Sequence, residues 1–228
     1  MKLHLSVEEL TMLVARQMAN ILVYDPETDG PILKQQVPMA LQATTWCLSH
    51  SRNKYYRFEG ELIFTPFHTG ENTIFLYHLS RSIGVNNGYR DLADRVYYLN
   101  KILNGVDIYH EVQLPSIFDL DHPLGTVLGR ATYADYFSFS QNCTVGNNRG
   151  IYPTFSESVT LCAGASVIGR AHIGRNSIIT INTLVKDEDI PDNSMVFGSS
   201  PHLVIKTRKE TEMRDFFSQW IYNRLYEP

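Results

Sequence analysis

Residues 106–125 read V-D-I-Y-H-E-V-Q-L-P-S-I-F-D-L-D-H-P-L-G, which gathers Asp107, Asp119, Asp121, His110 and His122 into twenty positions. These are the residue types of proton-transfer chemistry. An imidazole titrates near neutrality and can take a proton from a hydroxyl as that oxygen forms a new bond. A carboxylate on the other ring nitrogen fixes the tautomer and stabilises the imidazolium that develops. Residue type alone leaves open which of the five act, because aspartates and histidines also serve as caps, turn formers and core residues. His4, His50, His172 and His202, scattered outside this stretch, read as structural or surface residues.

The elements that must position such groups fall into two kinds. In the first hundred residues the pattern is helical: Ser6 and Glu9 form a capping box ahead of Leu10, Leu13, Val14 and Met18 on one face. Residues 72–83 place Phe75, Leu76, Leu79 and Ile83 on one side of a helix, and residues 90–103 do the same with Leu92, Val96, Leu99 and Leu103. The glycine-bearing stretch 82–88 between them is a turn, so the pair reads as a helical hairpin.

After Asp121 the period changes to six. Val127, Tyr133, Phe139, Val145 and Ile151 recur in one register; Phe155, Leu161, Val167, Ile173, Ile179 and Val185 recur in a second. Val159, Ala165, Ala171, Ser177 and Thr183 sit two before the later large residues. Six is neither the helical nor the strand period, but it suits a coil of short straight sides whose every sixth side chain points inward. The offset between Ile151 and Phe155 marks an extruded loop. Residues 209–226 read as a terminal helix with Phe216, Phe217, Trp220, Ile221 and Leu225 available to cover the open coil end.

The expected fold class is therefore α+β, with an α-helical domain over residues 1–105, a parallel β-helix over 106–208 and a C-terminal helix over 209–228. The net charge of −4, without a lysine/arginine cluster, gives no footprint for nucleic acid. Cys47, Cys143 and Cys162 have no paired spacing and read as buried free thiols; no metal site is expected. Neither a signal peptide nor a membrane span is evident, so a cytoplasmic protein is expected.

On these motifs the sequence resembles the serine O-acetyltransferase family of hexapeptide-repeat acyltransferases, which implies that the β-helix over 106–208 is left-handed. The resemblance runs from about Asn72 to Lys206: a helical hairpin, V-D-I at 106–108, L-D-H at 120–122 with glycine three residues on, Q-N-C-T-V-G, A-G-A-S-V-I-G-R-A-H-I-G-R and F-G-S-S-P. The family's V-D-I-H-P and L-D-H-A-T-G stand at the same mutual distance. The resemblance implies that His122 is the general base, that Asp107 orients it and that Asp121 contacts the acceptor. It implies acetyl-CoA as co-substrate, with Ala163, Gly164, Gly169, Ser199 and Ser200 along its groove and Lys206 and Arg208 as phosphate contacts. It also implies a homotrimer, or two stacked trimers, because the groove lies between neighbouring β-helices.

The match departs from the family in three places. The family's longer loop ending in D-R-H-P is here G-N-N-R-G-I-Y-P, residues 146–153; Arg149 reads equally as a clamp for an acceptor carboxylate and as a solvated loop residue. R-N-K-Y-Y-R-F-E-G, residues 52–60, shows no equal of the aspartate that many members place ahead of the hairpin. The ending N-R-L-Y-E-P is unlike the isoleucine tail that docks into the sulfhydrylase of cysteine synthesis, so that complex is not expected. The first reading is a serine O-acetyltransferase; a sugar or sugar-nucleotide acetyltransferase of surface-polysaccharide synthesis and a non-catalytic β-helix scaffold stand as alternatives. Asp119 and His110 read as structural.

Overall fold

The computed structural model describes residues 1–51 and 53–217. Along the chain it runs from an N-terminal helical unit to a left-handed parallel β-helix and a C-terminal helix. The chain folds as two compact units: residues 1–49 with 54–111, and residues 50–53 with the chain from 112 onward.

In the first unit, α1 (Val7–Ile21) starts at the capping box, where Ser6 Oγ accepts from the Glu9 amide and Glu9 Oε2 accepts from the Ser6 amide at 2.8 Å. Leu10, Val14 and Met18 carry its buried face. The long α2 (Asp29–Ser49) is the element that periodicity did not reveal. It has Pro38 in its interior and buries Gln36 and Thr44 beside Leu33, Val37 and Leu41, so its inner face is not a clean apolar stripe. A small sheet joins Lys2–Leu3, Arg57–Phe58 and Glu61–Phe64, again without a sequence signal.

The expected hairpin is α3 (Thr69–Arg81) and α4 (Arg90–Asn104), joined through a π-helical turn at Ser82–Asn86. Phe75, Leu76, Leu79 and Ile83 are fully buried, as the spacing predicts. Gly105, at φ 65°, lets the chain leave α4 in a left-handed cap that costs a side chain but not glycine.

In the second unit, parallel strands stack into three faces. One runs Phe118–Leu120, Phe137–Phe139, Thr160–Leu161, Ile178–Ile179 and Ser194–Phe197, and ends in an antiparallel strand, Val204–Thr207. The second is built on Val127–Leu128, Thr144–Gly146, Ser166–Ile168 and Leu184–Lys186. The third is Thr132–Tyr133, Thr154–Phe155 and His172–Ile173. Inward columns such as Tyr133/Phe155/Ile173 and Val145/Val167/Val185 are buried, and so are Val159, Ala165, Ala171, Ser177 and Thr183. Tyr133 stacks on Phe155 with ring centroids 5.3 Å apart, and Phe137 fills the same end of the core.

Two members of the six-residue pattern are not inward. Val127 is 43% exposed because the first rung is one residue short: Leu128, not Val127, pairs with Val145 and turns into the core. Ile151 is 52% exposed because it belongs to the extruded loop, where it closes a tight hairpin with Asn148. Several corners hold non-glycine residues in left-handed backbone, among them Asn142, Asn176, Asn182 and Asp187. Asn and Asp tolerate that region best, which explains these types at the corners.

The described part of the predicted terminal helix is α5 (Glu210–Phe217). Its Met213 packs on Ile178, Cys162 and Met195, covering the outside of the first face. Trp220, Ile221 and Leu225 lie outside the described residues.

Candidate active site

The L-D-H segment forms a corner of the β-helix. The Asp121 amide donates to the Phe139 carbonyl; after it the chain turns through His122 at φ 49° and Gly125 at φ 76°, with the Leu124 amide returning to the His122 carbonyl at 2.7 Å. The turn throws the imidazole outward: its side chain is 83% exposed, with Nε2 3.6 Å from Asp121 Oδ1. Of the predicted site residues, these two are brought together. An outward imidazole with a free path to solvent is what a base that must meet a diffusing acceptor requires.

Asp119, which reads from the sequence as structural, has polar partners of its own. Its Oδ2 accepts from Ser51 Oγ at 3.2 Å and its Oδ1 from the Leu120 amide at 3.0 Å. Burial pushes this carboxyl up to about 7 against those two bonds, and the Asp121 charge adds to the rise. No periodicity could have found the Ser51 contact, which spans sixty-eight residues.

In the helical unit, Asp107 is held from α4. Tyr97 Oη donates to its Oδ1 and Lys101 Nζ to its Oδ2, each at 2.6 Å. Burial, then the bond to Asp107, pushes the Tyr97 phenol well above its ordinary range, so it stays a donor. His110 is buried, with Nε2 3.0 Å from Asp94 Oδ1, and its carbonyl accepts from Arg81. This is the geometry of a residue that locks a chain segment to α3 and α4. A surface cavity of about 290 Å³ in the same unit is lined by Val23, Asp25, Thr28, Asp29, Asp91 and Arg95, none of them a candidate residue.

Arg149 sits at the tip of the loop hairpin, exposed and at φ 53°. Asn147 Oδ1 accepts from the Gly150 amide, and Asn148 anchors the loop to Asp187. Among the proposed co-substrate positions, the glycines have a packing explanation of their own. A β-carbon on Gly164 would fall 2.2 Å from Asn182 Oδ1, and one on Gly169 would fall 2.1 Å from Asp187 Oδ1. The Ala163 carbonyl accepts from the Asn182 amide. Ser200 Oγ accepts from the Lys186 amide at 2.9 Å, and the Ser199 carbonyl from the His202 amide. Lys206, in the exposed last strand, lies over the Phe197 ring, and Arg208, exposed just past that strand, bonds through its amide to the Asn193 carbonyl.

Among the described residues, no group of three His, Cys, Asp or Glu could hold a metal ion, and no helix is long and apolar enough to cross a membrane.

The fold is shared with serine acetyltransferases of known structure. One, from Neisseria gonorrhoeae, superposes with a TM-score of 0.70 at 20% identity, over 93% of this chain and 84% of that one. Another, from Brucella abortus in complex with coenzyme A, gives 0.66 at 20% identity over 90% and 83%. Among curated proteins, a putative serine acetyltransferase of Schizosaccharomyces pombe is 29% identical over 135 residues, 57% of this chain and 49% of its own length. The serine acetyltransferase of Synechococcus elongatus is 30% identical over 48% of this chain and 47% of its own. The chain thus spans about half the length of these curated relatives. No family model matches it.

Proposed function

We propose that this chain is an acetyl-CoA-dependent O-acetyltransferase whose acceptor is L-serine and whose product is O-acetyl-L-serine. The observation that carries the reading is the outward imidazole of His122 beside Asp121, at a corner of a β-helix of the kind that serine acetyltransferases share. His122 takes the proton of the serine hydroxyl, and Asp107 orients its ring. The oxygen attacks the thioester carbonyl, forming a tetrahedral oxyanion that backbone amides stabilise. The carbon–sulfur bond then breaks, and the CoA thiolate receives the proton from the imidazolium. Asp121 faces the acceptor, and Arg149 receives its carboxylate.

Acetyl-CoA lies along the later coils in this reading, past Ala163, Gly164, Gly169, Ser199 and Ser200, with Lys206 and Arg208 toward its phosphates. The exposure of the last strand, Val204–Thr207, and of Arg208 just past it supports that placement of the two cations. The working form is a homotrimer, or a pair of trimers, in the cytosol.

The test is release of free CoA from acetyl-CoA with L-serine beside amino sugars and sugar nucleotides, for wild type and His122→Ala. Turnover with serine that falls by about 10³-fold or more in the variant supports the reading. Turnover with a sugar alone moves the protein to polysaccharide modification, an alternative favoured by the short hairpin that lacks the family's histidine. Turnover that ignores His122 removes the base.

A further inference from the structure

Tyr97 and Lys101 stand four residues apart on α4 and therefore share one helix face. The left-handed cap at Gly105 reverses the chain so that Asp107 meets that face, and each donor takes a different carboxylate oxygen at 2.6 Å. A carboxylate has about four acceptor sites, so this clamp leaves two for another donor. Tyr97 is itself held: its ring meets the Tyr109 ring edge to face at 5.2 Å, and the Tyr109 hydroxyl accepts from Arg90.

We propose that Tyr97 and Lys101 are positioning residues for the reaction: they set the orientation of the Asp107 carboxylate and draw off part of its charge before it acts on the base. This rests on the reading of Asp107 as the residue that orients His122. A lone carboxylate would pull the imidazole strongly toward its protonated form, in which it cannot accept a proton. With an ammonium on the far oxygen that pull is weaker. The phenol adds no charge and acts on geometry alone. The charged and titratable groups around the clamp in the helical unit are Asp94, Arg90, Glu111, Tyr109 and His110, and the imidazole itself has the Asp121 carboxylate 3.6 Å from Nε2.

A purely structural role would be to staple the C-terminal turn of α4 to the strand Asp107–Ile108, and the two roles give different measurements. We expect Lys101→Met to move the acidic limb of the kcat/KM profile upward by about 0.5–1 unit, and Lys101→Arg to restore it. Tyr97→Phe should lower kcat about tenfold at unchanged KM for acetyl-CoA, without moving that limb. Circular dichroism and melting of each variant confirm that it is folded. Variants that melt lower but keep the wild-type pH limb and kcat overturn the proposal and leave a staple. Asp107→Asn and His122→Ala are measured alongside. If those two retain wild-type turnover, the reading of the site has failed; if they collapse while Lys101→Met keeps the wild-type limb, only the clamp has failed.

Discussion

Asn148 Nδ2 donates to Asp187 Oδ2 at 2.6 Å, joining residues thirty-nine positions apart. The same carboxylate accepts from the Arg170 amide at 2.8 Å through its other oxygen, and that backbone bond, followed by the bond to Asn148, holds it below the usual carboxylate range. One aspartate thus fixes both the base of the hairpin that carries Arg149 and the corner that contains Gly169.

Cutting this tie should loosen Arg149 without disturbing the base. Asn148→Ala is expected to raise the KM for serine about two- to tenfold, the worth of roughly one hydrogen bond, with kcat unchanged. Steady-state kinetics with serine varied checks it. An unaltered KM would mean that Arg149 is a solvated loop residue.

Gly164 and Gly169 are read from the sequence as lining the co-substrate groove, but their φ values of 72° and 78° and the side-chain oxygens facing them require glycine in the free protein. Alanine at either position should lower Tm by about 4–8 °C with no ligand present, equivalent to roughly 2 kcal/mol. Differential scanning calorimetry decides the matter. Unchanged melting with weaker acetyl-CoA binding would assign the glycines to the groove alone.

The coil register makes a paired prediction. Phe155 is 2% exposed and packs against Tyr133 and Phe137, so Phe155→Ala should cost about 3–5 kcal/mol. Ile151 is exposed in the hairpin, and Ile151→Ala should stay within about 0.5 kcal/mol. Urea unfolding of both variants tests this; equal losses would place Ile151 in the core after all.

Glu71 gives the helical unit a pH dependence. It is fully buried, Oε2 accepts from the Thr65 amide at 2.5 Å, and Oε1 has no partner among the described residues. Burial pushes its carboxyl from 4.5 up to about 7. The folded protein therefore keeps a proton that the unfolded chain releases, and the stability linked to it is complete below about 4.5 and is lost as pH rises through about 7. Glu71→Gln should lessen the pH slope of unfolding free energies measured from pH 4.5 to 8, leaving the part that Asp119, also raised to about 7, contributes. Parallel curves for the two proteins would show that Glu71 does not titrate there.

The sequence by itself determined the elements whose burial pattern is written locally. Leu92, Val96 and Leu99 mark α4, and Phe155, Leu161 and Val167 mark the coils, because each element's inward side chains recur at its own backbone period. Which of the aspartates and histidines of residues 106–125 act was left open by residue type, and His122, Asp107 and Asp121 stand as proposed site residues on the resemblance of their short motifs. Only the tertiary structure decided the rest. Whether Val127 or Leu128 turns inward depends on pairing with Val145, seventeen or more residues away, and α2 is buried on a face that includes Gln36 and Thr44. The partners of Asp119 and Asp187 come from segments remote in sequence. A polar side chain carries no sign of which donor it will meet, since that is set by where the backbone brings the donor, whereas an apolar one carries its destination in its own hydrophobicity.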